Sequence, residues 1–230
     1  MVKRGQEVHT TDRDHSDPER RPIIMVSSTV DGIEDLLEQV FAILSVGFTV
    51  WMSYKGTVPV DSTKSNFENC LDAVRECDMF LGILTTRYGS GKDGSQPSIT
   101  HQEVREALKR DIPRWFLAHR DLEVAYDLVR NLGHRIPVGI PDLNARMERL
   151  RKAGRHPVID DYRVLEMYAE VIQAKKAISE RRGNWAQPFA TAADGRVFVV
   201  AQFLRYSRAI KDVEKGPLSA LRQMAQKKGT

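Results

Sequence analysis

The residues of this chain whose types and spacing could do chemistry are Ser27-Ser28-Thr29, Arg87-Tyr88 and Glu103. Three small hydroxyl residues directly after an apolar run leave room for a ligand and supply donors. The amides of a following helix N-terminus would favour an anion there. Asp31 belongs to the same candidate ligand-binding set. The pattern is not a Walker loop, because no glycine-lysine pair follows. Nor is it a dinucleotide fingerprint, because the GxGxxG glycines are missing. The plainer reading of the triplet is a hydroxyl turn that caps the first helix.

A second feature is the stretch from Arg87 to Ser95, with three glycines between Tyr88 and Ser95. Such a loop is expected at the surface and mobile. It could close over a ligand, with Arg87 or Tyr88 as the contact, or simply connect two elements. The third feature is Glu103. Thr100 and Glu103 have capping-box spacing, with Thr100 as N-cap and a further ligand-binding candidate, and Glu103 at N3. A Glu in the first helical turn also sits in the positive end of the helix dipole, which favours its ionised form. An ionised carboxylate at a ligand edge can hold ribose hydroxyls or attack an anomeric carbon, and suits a nucleophile better than a general acid. Cap and catalyst both remain open on the sequence.

The elements that must position these residues can be read from periodicity. Ile23 to Val26 is a short continuous apolar run that suits a buried parallel strand. Ile33, Leu36, Leu37, Val40, Phe41 and Leu44 mark an amphipathic helix, which Gly47 ends. Phe48 to Tyr54 reads as the second strand. Asp61 or Ser62 is expected to cap a second helix with Phe67, Leu71 and Val74 inward, stopped by Asp78. Met79 to Leu84 is the third strand, 100–110 a third helix, Trp115 to Ala118 a fourth strand, and 121–131 a fourth helix closed by Gly133. This alternation predicts an α/β fold with a parallel sheet, helices on both faces, and all strand-to-helix loops at one edge.

The expected organisation is a disordered polar tail over 1–21, an α/β core over 22–133, a helix-rich extension over 134–216 and a basic flexible tail over 217–230. Leu143 to Ala153 and Val164 to Ile178 read as helices; Asn184-Trp185 opens an irregular patch; Val197 to Phe203 is a strand or a last helix. His9 and His15 lie in the polar tail with nothing to fix a ligand geometry, so no metal is expected.

Hydrophobic residues make up 41% of the 230, enough for a core, which excludes global disorder. No apolar run is long enough to span a bilayer, and no secretory signal is apparent. Cys70 and Cys77, the two cysteines, have neither CxxC nor zinc spacing and are expected to pack as small hydrophobes. A soluble, cytoplasmic protein is the expectation. Residues 1–145 carry 17 Lys and Arg against 22 Asp and Glu, whereas 146–230 carry 18 against 9. A basic half fits either ordinary solvated helices or an acidic partner, protein or, more weakly, nucleic acid.

Val26-Ser27-Ser28-Thr29, Asp78 to Ile83, Arg87-Tyr88-Gly89-Ser90 and Ser98-Ile99-Thr100-His101-Gln102-Glu103 with Ala107 occur in the order of a bacterial domain-of-unknown-function family. The chain resembles that family over about 22–120. The family is in turn similar to two groups with the flavodoxin-like fold, the nucleoside 2-deoxyribosyltransferases and the Toll/interleukin-1-receptor (TIR) domains. Some TIR domains cleave NAD at its glycosidic bond. The resemblance implies a flavodoxin-like core in which Glu103 acts on an N-glycosidic bond and Ser27 and Ser28 line a phosphate or ribose site; Arg87 is expected to help position phosphates. It implies NAD or a related nucleotide as substrate rather than cofactor, and a role as effector or signal generator in bacterial defence. The alternative it carries is a non-catalytic module that assembles with itself or with a partner protein. Two departures stand out. The transferases have Asp and Gly, and the TIR enzymes Trp and Cys, where this chain has Ser98 to Gln102.

Overall fold

A computed structural model describes residues 20–89, 96–135 and 158–204. The polar tail with His9 and His15, the glycine-rich 90–95, the expected helix at 143–153 and the basic tail at 217–230 lie outside the described residues.

Five strands form one parallel sheet in the order β2-β1-β3-β4-β5. They are β1 (Ile23–Ser28), β2 (Thr49–Met52), β3 (Met79–Leu84), β4 (Arg114–His119) and β5 (Ala186–Phe189). The helices are α1 (Glu34–Leu44), α2 (Asn66–Glu76), α3 (Ile99–Lys109), α4 (Arg120–Arg135), α5 (Arg163–Val171) and α6 (Ala192–Val199). This is a flavodoxin-like strand order, with the crossovers reversing direction between β1 and β3.

The continuous apolar runs become strands because both of their faces are covered. Ile24 and Val26 of β1 pack with Leu36, Leu37 and Val40 of α1 and with Phe198 and Val199 of α6. Ile23 and Met25 face the opposite layer, with Val74 of α2, Val104 of α3, Leu122 of α4 and Leu165 of α5. All six residues of β3 are buried. Its Gly82 leaves room for an aromatic ring: a Cβ there would lie 2.6 Å from Cδ1 of Phe116.

Local signals differ from the expected ones at several points. The cap of α2 is Ser65, in a reciprocal capping box with Glu68, rather than Asp61 or Ser62. The Asp61 amide instead donates to buried Asn69 at 2.9 Å, and the Asp61 side chain accepts from Thr63. The second strand stops at Met52, where a 3-10 turn begins. Arg20, expected in the tail, hydrogen-bonds Asp78 at 2.9 Å. The sheet continues well past residue 133. Ala186–Phe189, in the stretch expected to be irregular, pairs with β4 as the edge strand. It reads as irregular because four residues containing a proline carry little strand signal. The apolar run from Val197 forms the end of α6 and a π turn, not a strand. No described helix is long and apolar enough to cross a membrane.

Candidate functional site

β1 delivers Ser27 and Ser28 at its C-terminal end, inside the strand rather than in a turn beyond it. Successive strand residues face opposite layers, so the two serines separate. The Ser27 hydroxyl points under α3 and donates to Glu103 Oε2 at 2.5 Å. The Ser28 hydroxyl turns locally onto the Thr29 carbonyl. Ser27 stands beside Gly82 in the register of β1 and β3.

Glu103 is not a helix cap. The N-cap of α3 is Ser98, whose hydroxyl accepts from the His101 amide, so the first turn begins two residues earlier than expected. Glu103 is then the fifth residue of the helix and shares its buried stripe with Thr100, Val104 and Ala107. It is 4% exposed. Burial pushes its carboxyl up to about 7, against the opposing hydrogen bonds from Ser27 and from Cys70 of α2. Desolvation therefore outweighs both bonds, and the carboxyl expected to be ionised is poised near neutrality. Such a group can give or take a proton at physiological pH. Cys70 is no mere packing residue: burial and the neighbouring Glu103 carboxylate push its thiol up to about 12. Cys77 does behave as a buried hydrophobe at the end of α2.

Tyr88, expected as a surface contact, is 1% exposed. Its hydroxyl pairs with His101 Nδ1 at 2.7 Å, and His101 Nε2 meets Glu170 of α5 at 3.2 Å. Arg105 donates to both oxygens of Glu170. Burial works to raise Glu170, but the bonds from His101 and Arg105 more than reverse it and hold the carboxyl at about 2. This polar chain ties α3 and α5 to the strand end that carries Tyr88.

At the strand edge a cleft of about 460 Å³ opens over the reversal point, lined among others by Asp31, Thr85, Arg87, His119 and Thr191. Arg87 and Asp31 form an ion pair at 3.5 Å. Below them the Thr29 and Thr85 hydroxyls bond at 2.7 Å, and both reach the Arg87 carbonyl at 3.3 Å. The expected site residues thus divide. Asp31 and Arg87 share the open cleft, Thr29 ties the ends of β1 and β3, and Ser27 with Glu103 lies on the covered side of the sheet. Thr100 is buried in the stripe of α3.

His119 and Glu170 belong to these clusters and were not singled out in the sequence, where Cys70 was expected only to pack and His101 stood only within the resemblance motif. A helical signal for one of them existed: His101 falls on the buried stripe with Thr100, Glu103, Val104 and Ala107. Among the described residues, no group of three or more His, Cys, Asp or Glu could hold a metal ion.

Strand order and edge cleft define a flavodoxin-like α/β protein. The chain belongs to the family described as domain of unknown function DUF4062, which matches residues 23–152. No curated protein and no solved structure matches it.

Proposed function

We propose that this protein binds a nucleotide or nucleoside, NAD among the candidates, and cleaves its N-glycosidic bond with Glu103 acting on the ribose. The observation that carries the reading is the Ser27–Glu103 pair. Glu103 caps nothing and occupies a position in the apolar stripe of α3 where a hydrophobic residue would pack at lower cost. Perturbed carboxyls of this kind concentrate at functional sites.

In the proposed reaction the C1′–N bond breaks and its electron pair leaves with the base. The Glu103 carboxylate stabilises the oxocarbenium-like carbon or attacks it, and water completes hydrolysis. The Ser27 hydroxyl holds the carboxylate oxygen in place. Asp31 would take ribose hydroxyls in the cleft and Arg87 a phosphate. Glu103 is buried between β1 and α2, so these neighbours must open to admit a ligand.

Incubation of the purified chain with NAD and with nucleosides, followed by chromatography of the released base, tests the reading. Wild type is expected to release base and Glu103→Gln is not. Equal inertness of the two proteins, as monomers and in every assembled state, overturns it.

A second reading is an assembly module acting with copies of itself or a partner protein. It is favoured by Val124 and Leu128, one turn apart on α4 and both about 60% exposed. Size-exclusion chromatography of wild type against Val124→Glu/Leu128→Glu separates the readings.

A further inference from the structure

A groove of about 1070 Å³ lies on the helical side of the molecule, away from the strand-edge cleft, between α3, the start of β4, α4, α5 and the loop from α5 to β5. Its lining carries five arginines and three lysines against three glutamates. One of those glutamates, Glu170, is already engaged by Arg105 and His101. The Glu170–Arg105 pair cancels one charge of each sign and leaves a formal excess of five positive charges, and Lys175-Lys176 and Arg181-Arg182 place like charges side by side, which repel one another.

The groove wall is also fixed in advance. Arg181 donates from Nε to the Lys176 carbonyl at 3.0 Å and from Nη2 to the Ala174 carbonyl. The Gln173 side chain donates to the Arg182 carbonyl and accepts from the Arg182 amide. Gly183 turns the loop with a positive φ of 61° and lies so close to Arg114 that a Cβ would sit 3.2 Å from its Nε. That Nε is buried and has no hydrogen-bond partner among the described residues. A loop bolted to its own backbone, with cations projecting from it, is organised for an anion before the anion arrives.

From this geometry we infer a second binding site, for a ligand that carries several phosphate groups. Arg105, Arg114 and Arg181 are held by Glu170 and by backbone carbonyls and shape the wall, while exposed Lys175, Lys176 and Arg182 offer charge to phosphate oxygens. The volume is at the upper end of ordinary ligand sites, roughly 300–1,000 Å³. The apolar floor of Leu108 and Ile172 leaves room for the body of such a ligand beside its phosphates. The site is independent of the Glu103 reaction. Its lining includes none of Ser27, Asp31, Arg87 and Glu103.

The test uses the full chain and three probes: inorganic tripolyphosphate, ATP, and a single-stranded DNA of about twelve nucleotides. Calorimetry and fluorescence anisotropy at low salt are expected to give saturable binding that weakens as salt rises. Lys175→Glu/Lys176→Glu is expected to weaken it at least about tenfold, and Lys175→Arg/Lys176→Arg to leave it unchanged. Both lysines are exposed, so melting temperatures should match wild type. Arg182→Ala is a second, independent variant with the same expected direction. Binding of tripolyphosphate and ATP points to a free polyphosphate ligand; binding of DNA alone points to a nucleic-acid backbone. Binding by none of the probes overturns the inference, as does undiminished binding in both the charge-reversal and Arg182→Ala variants. Glu103→Gln should bind as wild type does, so failure here and failure of the glycosidase reading are distinguishable.

Discussion

Ser27 and Glu103, 76 positions apart in the chain, are joined by a hydrogen bond of 2.5 Å beneath α3. Together with the bond from Cys70, it keeps a buried carboxyl from rising further above its ordinary value of 4.5. Ser27→Ala removes the donor and is expected to raise the Glu103 pKa beyond about 7, as read by carboxyl-resolved NMR titration. An unchanged titration would mean that the hydroxyl does not hold the charge.

The same burial has a sign in stability. The unfolded chain loses the Glu103 proton near 4.5 and the folded chain near 7. Between those values the folded state binds more protons, so stability falls as pH rises, then levels off above about 7. The difference is on the order of 3 kcal/mol at most. Glu103→Gln is expected to flatten that decline and to melt higher than wild type at alkaline pH. Urea unfolding from pH 4 to about 8 measures it.

Glu170 behaves oppositely. Its folded value of about 2 lies below the ordinary 4.5, so its contribution is present above pH 4.5 and fades as pH falls toward 2. Glu170→Gln should destabilise the protein at neutral pH, and the gap to wild type should close in acid. A constant gap across the titration would show that the Arg105 and His101 contacts hold no charge-dependent energy.

Cys70 should be slow to alkylate. With its thiol held up to about 12 by burial and by Glu103, little thiolate exists near pH 8. Glu103→Gln removes the neighbouring charge and should speed iodoacetamide modification at Cys70 without changing that at buried Cys77. Mass spectrometry of the labelled peptides distinguishes the two.

Gly82→Ala places a methyl group within 2.6 Å of Phe116 in the central strand. Overpacking of this kind costs about 1–3 kcal/mol. A lowered urea midpoint with an unchanged slope is the expected result.

Much of the fold could be read from the residues alone, because its strands are buried on both faces and announce themselves as apolar runs. Ile23–Val26 and Met79–Leu84 are examples, and the strand-helix alternation that follows implies the parallel sheet. β5 escaped because Ala186-Gln187-Pro188-Phe189 is short and only Phe189 is fully buried. At the site, Glu103 could be singled out as a candidate from its spacing, but its environment could not. Thr100 and Glu103 satisfy capping-box spacing, and so does Ser98 with His101 when the helix starts earlier. Sequence spacing cannot choose between two hydroxyl caps two residues apart; the packing of Val104 and Ala107 against the sheet decides it. The partnership of Cys70 with Glu103 depends on how α2 lies against α3, which no local pattern encodes.

The edge strand β5 is the last of the described strands, after α5, and this orders events during synthesis. While the ribosome is still making residues before 186, β4 has an open hydrogen-bonding edge, and the faces of Leu36 and Leu117 wait for Phe189, Phe198 and Phe203. An expression boundary drawn at residue 152, where the family match ends, would freeze the protein in that unfinished state. Such a fragment should aggregate, whereas one ending beyond residue 204 carries every described strand of the sheet.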